Sequence, residues 1–441
     1  MYNNIVVGLD IGSNEVRGVA GYISNDNTFY ILGFARVPSS SMENGSITNI
    51  NKLSENIENV ISNLEIQADV SINAVRIGIS DCKILTENQI VSIIRNSNDN
   101  EINFKDILQL KSDIQKTLLP AGKSIIEVVN ECYSVDYKKN VKDPVGMRGV
   151  RLEGEFKIFT VDSEILKSLD KAVYKIGKKI VSVTVSSLAS SIVVLSKEEK
   201  DAGVCLIDFG KDSIKISIFI SSVLVHFSIL PIGSYLITND LKKAFFLFAN
   251  QAESLKINLS NILLSENNKD THVEIANFNN KLSKMIPVES VSTVVKERFK
   301  EIVQQIGVEI HKFCKNKGIP ISSFSAGLVL QGGGSKFLKS TDFFEKTIHL
   351  ETRMAKLNQN IEVKNNSAKN FDYYDFISPI GIAVNSYKSI DSRDDFYKET
   401  NLGENYFFDK SISDKKNNTI KKAFTSWLSK TKKILIDEEN E

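Results

Sequence analysis

The sequence predicts an α/β protein of two or more domains with a duplicated hairpin, on three observations. A strand, polar turn and strand at Ile5-Val-Val-Gly-Leu-Asp-Ile-Gly-Ser-Asn-Glu-Val-Arg-Gly-Val-Ala-Gly21 recurs at Val204-Cys-Leu-Ile-Asp-Phe-Gly-Lys-Asp-Ser-Ile-Lys-Ile-Ser-Ile218, so that Asp208 and Gly210 answer Asp10 and Gly12. Runs with a period of two alternate with apolar stripes at helical spacing. At 441 residues the chain is long enough for two or more cores.

In the first hairpin the apolar run Ile5 to Leu9 ends at Asp10, and Gly12-Ser13-Asn14 forms a small-residue turn. Backbone N–H groups there can approach an anion closely, and a carboxylate beside them suits a hydrated metal ion. Alone, such a turn also serves as an ordinary hairpin corner. The second copy is what points it toward phosphate.

Tyr30 to Phe34 reads as a further strand, Leu53, Ile57, Val60, Ile61 and Leu64 as a helical stripe, and Val75 to Ser80 as another strand. From Asp81 to Thr160 the texture changes. A polar segment Asn96 to Asn103, a helix around Phe104 to Leu119 and strands near Ser124 to Tyr137 and Leu152 to Val161 read as an inserted subdomain. Its Asp143-Pro-Val-Gly-Met-Arg-Gly149 stretch is rich in turn formers and is either a surface loop or a contact. Ile165, Leu169, Val173 and Ile176 form a helix closed by Gly177, Val181 to Val185 a strand, and Leu188-Ala-Ser-Ser-Ile192 a small-residue helix suited to a close contact, between domains or between any two helices.

Ile216 to Thr238 carries no residue charged at neutral pH and is long enough to span a bilayer. The alternation of Ile214, Ile216, Ile218 and Ile220 with Lys215, Ser217, Phe219 and Ser221, ended by Pro231 and Gly233, instead predicts two strands joined near Ser221-Ser222. Asn239 or Asp240 then caps a helix carrying Leu241, Ala244, Phe245 and Phe248. Its continuation puts Glu253 and Lys256 on one face, which at its plainest is an exposed ion pair worth a few tenths of a kcal/mol. Val288 to Phe313 is a long amphipathic helix stopped by Gly318-Ile-Pro320.

Leu328-Val-Leu-Gln-Gly-Gly-Gly-Ser-Lys336 runs a strand into Gly332, Gly333 and Gly334 and then a helix candidate, a pattern that lets a nucleotide approach the backbone. Ser378-Pro-Ile-Gly-Ile-Ala383 reads as a loop and a short apolar helix. Residues 388–418 are polar and read as a tether. Residues 419–436 restore helical period, with Ile420, Phe424, Trp427 and Leu428 on one stripe and Lys421, Lys422, Lys430, Lys432 and Lys433 mostly off it. The single Trp of the chain on that stripe fits a membrane interface ahead of a partner's groove. Each lysine near an anionic leaflet contributes about 1 kcal/mol.

Composition narrows the classes. A hydrophobic content of 42% and a charged content of 25% are ordinary for a soluble protein, and a net charge of +1 gives no bulk attraction to nucleic acid. The four cysteines, without a C-x-x-C pair, read as buried thiols of a reducing cytosol, and the four scattered histidines argue against a histidine metal site. The N-terminus enters strand residues directly, without the pattern of a signal peptide.

With two hairpins, Glu253 and Lys256, and a triple glycine in this order, the chain resembles the actin, Hsp70 and sugar-kinase superfamily, and within it the bacterial cell-division family FtsA. The family-specific stretches are Val135 to Arg151, Ser187-Leu-Ala-Ser-Ser191, Ala252-Glu-Ser-Leu-Lys-Ile257 and the tethered terminal helix. The resemblance implies an α/β, actin-like two-lobed ATPase fold with a family-specific inserted subdomain and a C-terminal amphipathic helix. It implies a first lobe over 1–80 and 161–200, an insert over 81–160 making filament and partner contacts, a second-lobe core over 201–238 and 321–387, and an outer subdomain over 239–320. Asp10, Gly12, Ser13, Asn14, Asp208, Gly210 and Ser213 would face the phosphates of ATP and its magnesium, the metal lying beside Asp10 and Asp208. Glu253, Lys256, Gly332, Gly333 and Gly334 would face the nucleoside. Arg298 and Glu301 match the positions that bind the C-terminal tail of the tubulin-like protein FtsZ. The implied role is a polymerising anchor for FtsZ on the cytoplasmic face of the inner membrane at the division site, also met by later division proteins. Its competitors are a small-molecule kinase or chaperone-type ATPase of the same superfamily, and an adaptor with a decayed nucleotide site.

One departure bears on the chemistry. The family has D-x-G-G-G-T where this chain has Asp208-Phe-Gly-Lys-Asp-Ser213. If Lys211 or Asp212 adopts a positive φ, each costs roughly 1 kcal/mol. Asp212 beside a phosphate repels by about 1 to 4 kcal/mol, which Lys211 can offset. Altered affinity and at most slow hydrolysis are therefore expected.

Overall fold

In the computed structural model the described residues are 5–43, 46–80, 83–95, 101–262, 271–275, 283–337, 340–358, 360–364 and 372–388. The basic helix expected over 419–436, nearly all of the tether before it and Cys82 lie outside them.

The opening apolar run and its short turn make β1 (Ile5–Ile11) and β2 (Glu15–Ile23), paired antiparallel and followed by β3 (Phe29–Pro38). After the two-residue strands β4 (Met42–Glu43) and β5 (Ser46–Ile47), the Asn49 side chain accepts the Lys52 N–H and starts α1 (Ile50–Ala68). That helix buries Leu53, Ile57, Val60, Ile61 and Leu64 against the sheet. β6 (Ala74–Ile79) then lies parallel to β1.

The chain next builds a separate antiparallel sheet from β7 (Leu85–Ile94), β8 (Lys123–Val135), β9 (Lys138–Val141) and β10 (Arg151–Asp162), in the order β7-β10-β8-β9. α2 (Phe104–Gln115), opened by an Asn103–Asp106 capping box, supplies Ile107, Leu110 and Ile114 to a core with Leu152, Phe156 and Ile158. β7 was not among the expected strands. It is an edge strand in which Val91 and Ile93 pack on the core while Ile90 and Ile94 point to solvent, so apolar residues on both faces mask its alternation. The 143–149 loop folds back on this subdomain, its Gly146 and Met147 pairing with the Ile102 backbone at 2.8 Å.

The first lobe resumes with α3 (Ser163–Lys175), β11 (Lys179–Val185), α4 (Ser186–Val194) and α5 (Lys197–Ala202). The second begins with β12 (Val204–Phe209), β13 (Ile214–Ile220) and β14 (Val223–Leu230). Ser221 and Ser222, at φ +54° and +67°, turn β13 into β14, so the uncharged stretch is a strand pair as its alternation predicts. There follow α6 (Tyr235–Phe245), α7 (Ala249–Ile262), β15 (His272–Ile275), β16 (Lys284–Pro287) and α8 (Val288–Lys317), which ends on Gly318 at φ +65°. β17 (Leu328–Gln331), α9 (Ser340–Ile348), β18 (Thr352–Met354), β19 (Ile361–Val363) and α10 (Ile377–Lys388) complete the described chain.

The duplication seen in two hairpins extends to whole sheets. One runs β11-β6-β1-β2-β3-β19, the other β14-β13-β12-β17-β18. In each, a three-stranded antiparallel meander (β1-β2-β3 or β12-β13-β14) is joined along its first strand by two parallel strands. Among the described residues no helix is long and apolar enough to cross a membrane.

Three expected elements differ. α6 starts at Tyr235 rather than after Asp240, because Ile237, Thr238 and Leu241 all bury on one side; it stops at Phe246, whose φ of +50° leaves Phe248 outside it and exposed. After the glycines the chain makes only a single 3-10 turn, Gly333–Lys336, and α9 begins later. Ser378 to Ala383 is helical throughout: Pro379 falls in the first turn of α10, where a missing N–H forfeits no intrahelical bond.

Candidate functional site

Each sheet delivers one hairpin turn to the same place. The Gly12 N–H donates to the Glu15 carbonyl and the Gly210 N–H to the Ser213 carbonyl, both at 3.1 Å, which leaves Ser13-Asn14 and Lys211-Asp212 at equivalent tips. In both hairpins the acid faces a base across the strand pair, Asp10 opposite Arg17 and Asp208 opposite Lys215. These turns, the glycine triplet and the helix pair α6–α7 line one cleft of about 460 Å³. Asp10, Gly12, Ser13, Asn14, Asp208, Gly210, Ser213, Glu253, Lys256, Gly332, Gly333 and Gly334 all lie on it.

The second turn is unstrained. Neither Lys211 nor Asp212 has a positive φ, so the cost considered for replacing two glycines does not arise. The start of α6 holds this turn, with the Ser234 N–H on the Gly210 carbonyl at 3.1 Å and the Tyr235 N–H on the Lys211 carbonyl at 3.0 Å.

Asp10 is oriented by Ser186, the first residue of α4, whose hydroxyl donates to Oδ1 at 2.6 Å. Burial raises its carboxyl above the ordinary range; the Ser186 bond and the Arg17 charge pull it back, and Asp208 adds to the rise. Glu253 and Lys256 are not the exposed pair of the plainest reading. Lys256 is buried, 2.8 Å from Glu253, and donates to the Thr238 hydroxyl at 2.9 Å, while Thr238 donates to Glu253 at 2.5 Å. Desolvation lowers the Lys256 pKa, and Glu253 opposes that shift.

The glycines divide by role. Gly332 stands at φ +87°, and a Cβ there would lie 2.7 Å from Asp208 Oδ1; one at Gly334 would lie 2.4 Å from the Phe209 ring. Gly333 has open space, so it alone of the three leaves backbone free toward the cleft. Beyond the expected residues, the cleft is lined by Arg17, Lys215, Gln331, Lys336 and Tyr374. Lys336 bridges Asp372 at 2.5 Å and Asp375 at 2.9 Å, and the Tyr374 hydroxyl donates to the Leu330 carbonyl at 2.9 Å. Arg17 and Lys215 were findable from strand register, as cross-strand partners of the two acids. Ser186 had no local signal.

A nucleotide-held magnesium beside Asp10 and Asp208 would find those two carboxylates on the cleft, with Lys215 competing for the same floor. Among the described residues no group of three His, Cys, Asp or Glu is placed to hold a metal ion. Lys215, a largely buried residue, stands on the same floor, and Asp10 feels its charge.

Residues 80–160 match a family model described as the SHS2 domain inserted in FTSA, and residues 205–373 one described as cell division protein FtsA. The cell division protein FtsA of Buchnera aphidicola (subsp. Acyrthosiphon pisum) is 30% identical over 355 residues, 80% of this chain and 84% of that protein. The chain belongs to the FtsA family. FtsA of Neisseria meningitidis serogroup B is 29% identical over 347 residues (78% of this chain, 82% of that one), and FtsA of Escherichia coli K12 25% over 353 residues (79% and 83%). Among solved structures, a PilM–PilN type IV pilus biogenesis complex superposes with a TM-score of 0.61 at 14% identity, covering 86% of this chain and 98% of that one. MreB 5 of Spiroplasma citri bound to AMPPNP gives 0.51 at 12% identity, covering 88% and 99%. The fold of this FtsA chain is actin-like.

The second pair of residues expected from the FtsA resemblance lies away from the cleft. Arg298 and Glu301 on α8 border an outer pocket of about 340 Å³ with Asp240, Val294 and Lys300. Arg298 donates to Asp240 at 2.5 Å and to Glu301 at 2.6 Å. The Asp240 hydrogen bond, opposed by partial burial, raises the guanidinium pKa further. Asp240, expected as a helix cap, is thus an ion-pair partner inside α6. Small-residue packing in α4 has two partners: a Cβ on Gly381 of α10 would lie 2.5 Å from the Ala189 carbonyl, and Ser190 Oγ accepts from Gln331 of β17 at 2.6 Å.

Proposed function

We propose that this FtsA-family chain holds ATP between its two lobes as a structural ligand, polymerises on the cytoplasmic face of the inner membrane, and anchors FtsZ there at the division site. The observation that carries the nucleotide half is the pair of equivalent hairpin turns on one cleft, flanked by the buried Lys256 with its half-buried partner Glu253 and the open space at Gly333. A relative in fold, MreB 5, was solved with AMPPNP, which supports the same ligand class. The two hairpins would cradle phosphates, with Glu253 and Lys256 toward the nucleoside.

The outer pocket at Arg298 and Glu301 takes the C-terminal tail of FtsZ in this reading. Arg298 already has two carboxylate partners, so a tail carboxylate would compete for a guanidinium that is oriented in advance. Self-association is supported by β7, an edge strand with Ile90 and Ile94 exposed on its solvent face. The inserted subdomain is also the proposed meeting place for later division proteins. The lysine-rich segment 419–436 is proposed to bind anionic lipid through Ile420, Phe424, Trp427 and Leu428 with Lys421, Lys422 and Lys430.

Co-pelleting with anionic vesicles tests the anchor. The full chain should carry FtsZ down with the vesicles, removal of 419–441 should abolish this, and Arg298→Glu should leave the chain on the vesicles without FtsZ. FtsZ recruitment that survives both changes would refute the proposal.

A further inference from the structure

We propose that the Lys215 ammonium takes the place of a divalent cation in this cleft, neutralising the nucleotide's phosphates from the protein itself, so that nucleotide binds without magnesium. The inference rests on the nucleotide reading of the cleft and adds a residue and a metal requirement to it.

Lys215 is turned into the cleft by its strand. Ile214, Ile216 and Ile218 of β13 pack into the second lobe's core, so the alternate position Lys215 faces the other way, onto the cleft floor opposite Asp208. Its Nζ lies 3.6 Å from where a Cβ on Gly210 would stand, beside the second phosphate turn. The residue is only 5% exposed, and among the described residues it has no hydrogen-bond or ion-pair partner. An ammonium on a buried stem, with no direct partner and only the charge of Asp10 felt across the same floor, is completed by an arriving anion.

Of the other cations lining the cleft, Lys211 is half-exposed at the tip of the second turn and three are paired. Arg17 pairs with Glu15 at 2.8 Å, Lys256 with Glu253 at 2.8 Å, and Lys336 with Asp372 and Asp375. Lys215 is therefore the buried positive charge left for a phosphate. It also works against the alternative. A dication beside Asp10 and Asp208 would share the floor with this ammonium, and their repulsion is twice that of two single charges at the same separation. Magnesium further demands a near-octahedral shell rich in water, which a long buried side chain crowds. A lysine at a phosphate acts as a compact point charge and supplies the neutralisation the metal would otherwise bring.

The test titrates AMPPNP into the full-length chain in excess EDTA and in excess magnesium, for the native protein and for Lys215→Met, with cooperative thermal melts as the folding control. The proposal predicts a native affinity in EDTA within about threefold of that in magnesium, whereas Lys215→Met loses roughly tenfold or more in EDTA and recovers most of it with magnesium. Lys215→Arg, which keeps the charge, should bind metal-free nucleotide better than Lys215→Met. A native protein that weakens tenfold or more in EDTA overturns the proposal and leaves the nucleotide reading standing, as does a Lys215→Met chain that binds metal-free analogue as tightly as the native one. Absence of binding in both media removes the nucleotide reading and this proposal with it. The comparison of the native protein in the two media needs no variant, so it decides even if Lys215→Met fails to fold.

Discussion

Ser186 Oγ donates to Asp10 Oδ1 at 2.6 Å across 176 positions of sequence, tying the acid of the first hairpin to the first turn of α4. Burial raises the Asp10 pKa, and this bond lowers it by favouring the carboxylate. With a raised folded value, the Asp10 contribution to stability is fully present below the unfolded pKa and is lost as pH rises through the folded one. Ser186→Ala should therefore destabilise more at pH 7 than at pH 4, by about 1–2 kcal/mol at the higher pH. Urea unfolding at the two pH values checks this, and equal losses would mean the bond does not act on the charged form.

Thr238 joins both members of the Glu253–Lys256 pair, accepting from Lys256 at 2.9 Å and donating to Glu253 at 2.5 Å. Thr238→Val keeps the shape and removes both bonds. A loss of about 1–2 kcal/mol in denaturant unfolding is expected, together with weaker nucleotide binding, because Lys256 loses its orientation. Unchanged affinity would show that Thr238 does not set the position of Lys256 for the ligand.

The glycines offer a clean separation of fold from function. Gly332→Ala meets both a positive φ and the Asp208 carboxylate and should destabilise by more than about 1 kcal/mol. Gly333→Ala meets nothing within 4 Å and should fold as the native chain does, while its methyl obstructs the nucleotide. Thermal melts and analogue titration on the two variants read the two effects independently.

Arg298→Ala should abolish binding of an FtsZ tail peptide while leaving AMPPNP affinity unchanged, since the outer pocket and the cleft share no lining residue. The ion pairs it removes are partly solvated, so the stability cost should stay within about 1 kcal/mol. Fluorescence anisotropy of a labelled tail peptide measures the first effect, and persistent tail binding would exclude this pocket.

Much of the fold was legible because it is written locally. The two hairpins, the α1 and α8 stripes and the Ser221-Ser222 turn follow from periodicity and turn chemistry within a few residues. What was misread depended on distant partners. Pro379 looked like a break but sits in the one turn of α10 that tolerates it, and β7 hid because apolar residues on both its faces mask its alternation. In the cleft, the motif residues stood out, whereas Lys215 passed as one more polar position between isoleucines. Its significance comes from two sheets meeting, that of Ser186 from β11 and β1 lying in one sheet with β6 between them, and neither relation is encoded near the residue itself.

The central claim, that the two hairpin turns hold a nucleotide between the lobes, is tested most directly by calorimetric titration of AMPPNP into the full chain, with the thermal midpoint followed in parallel. The account predicts a dissociation constant in the micromolar range and a stability gain of about 2.7 kcal/mol at a hundredfold excess of ligand over that constant. No heat of binding and an unmoved midpoint at millimolar AMPPNP, with and without magnesium, would contradict it.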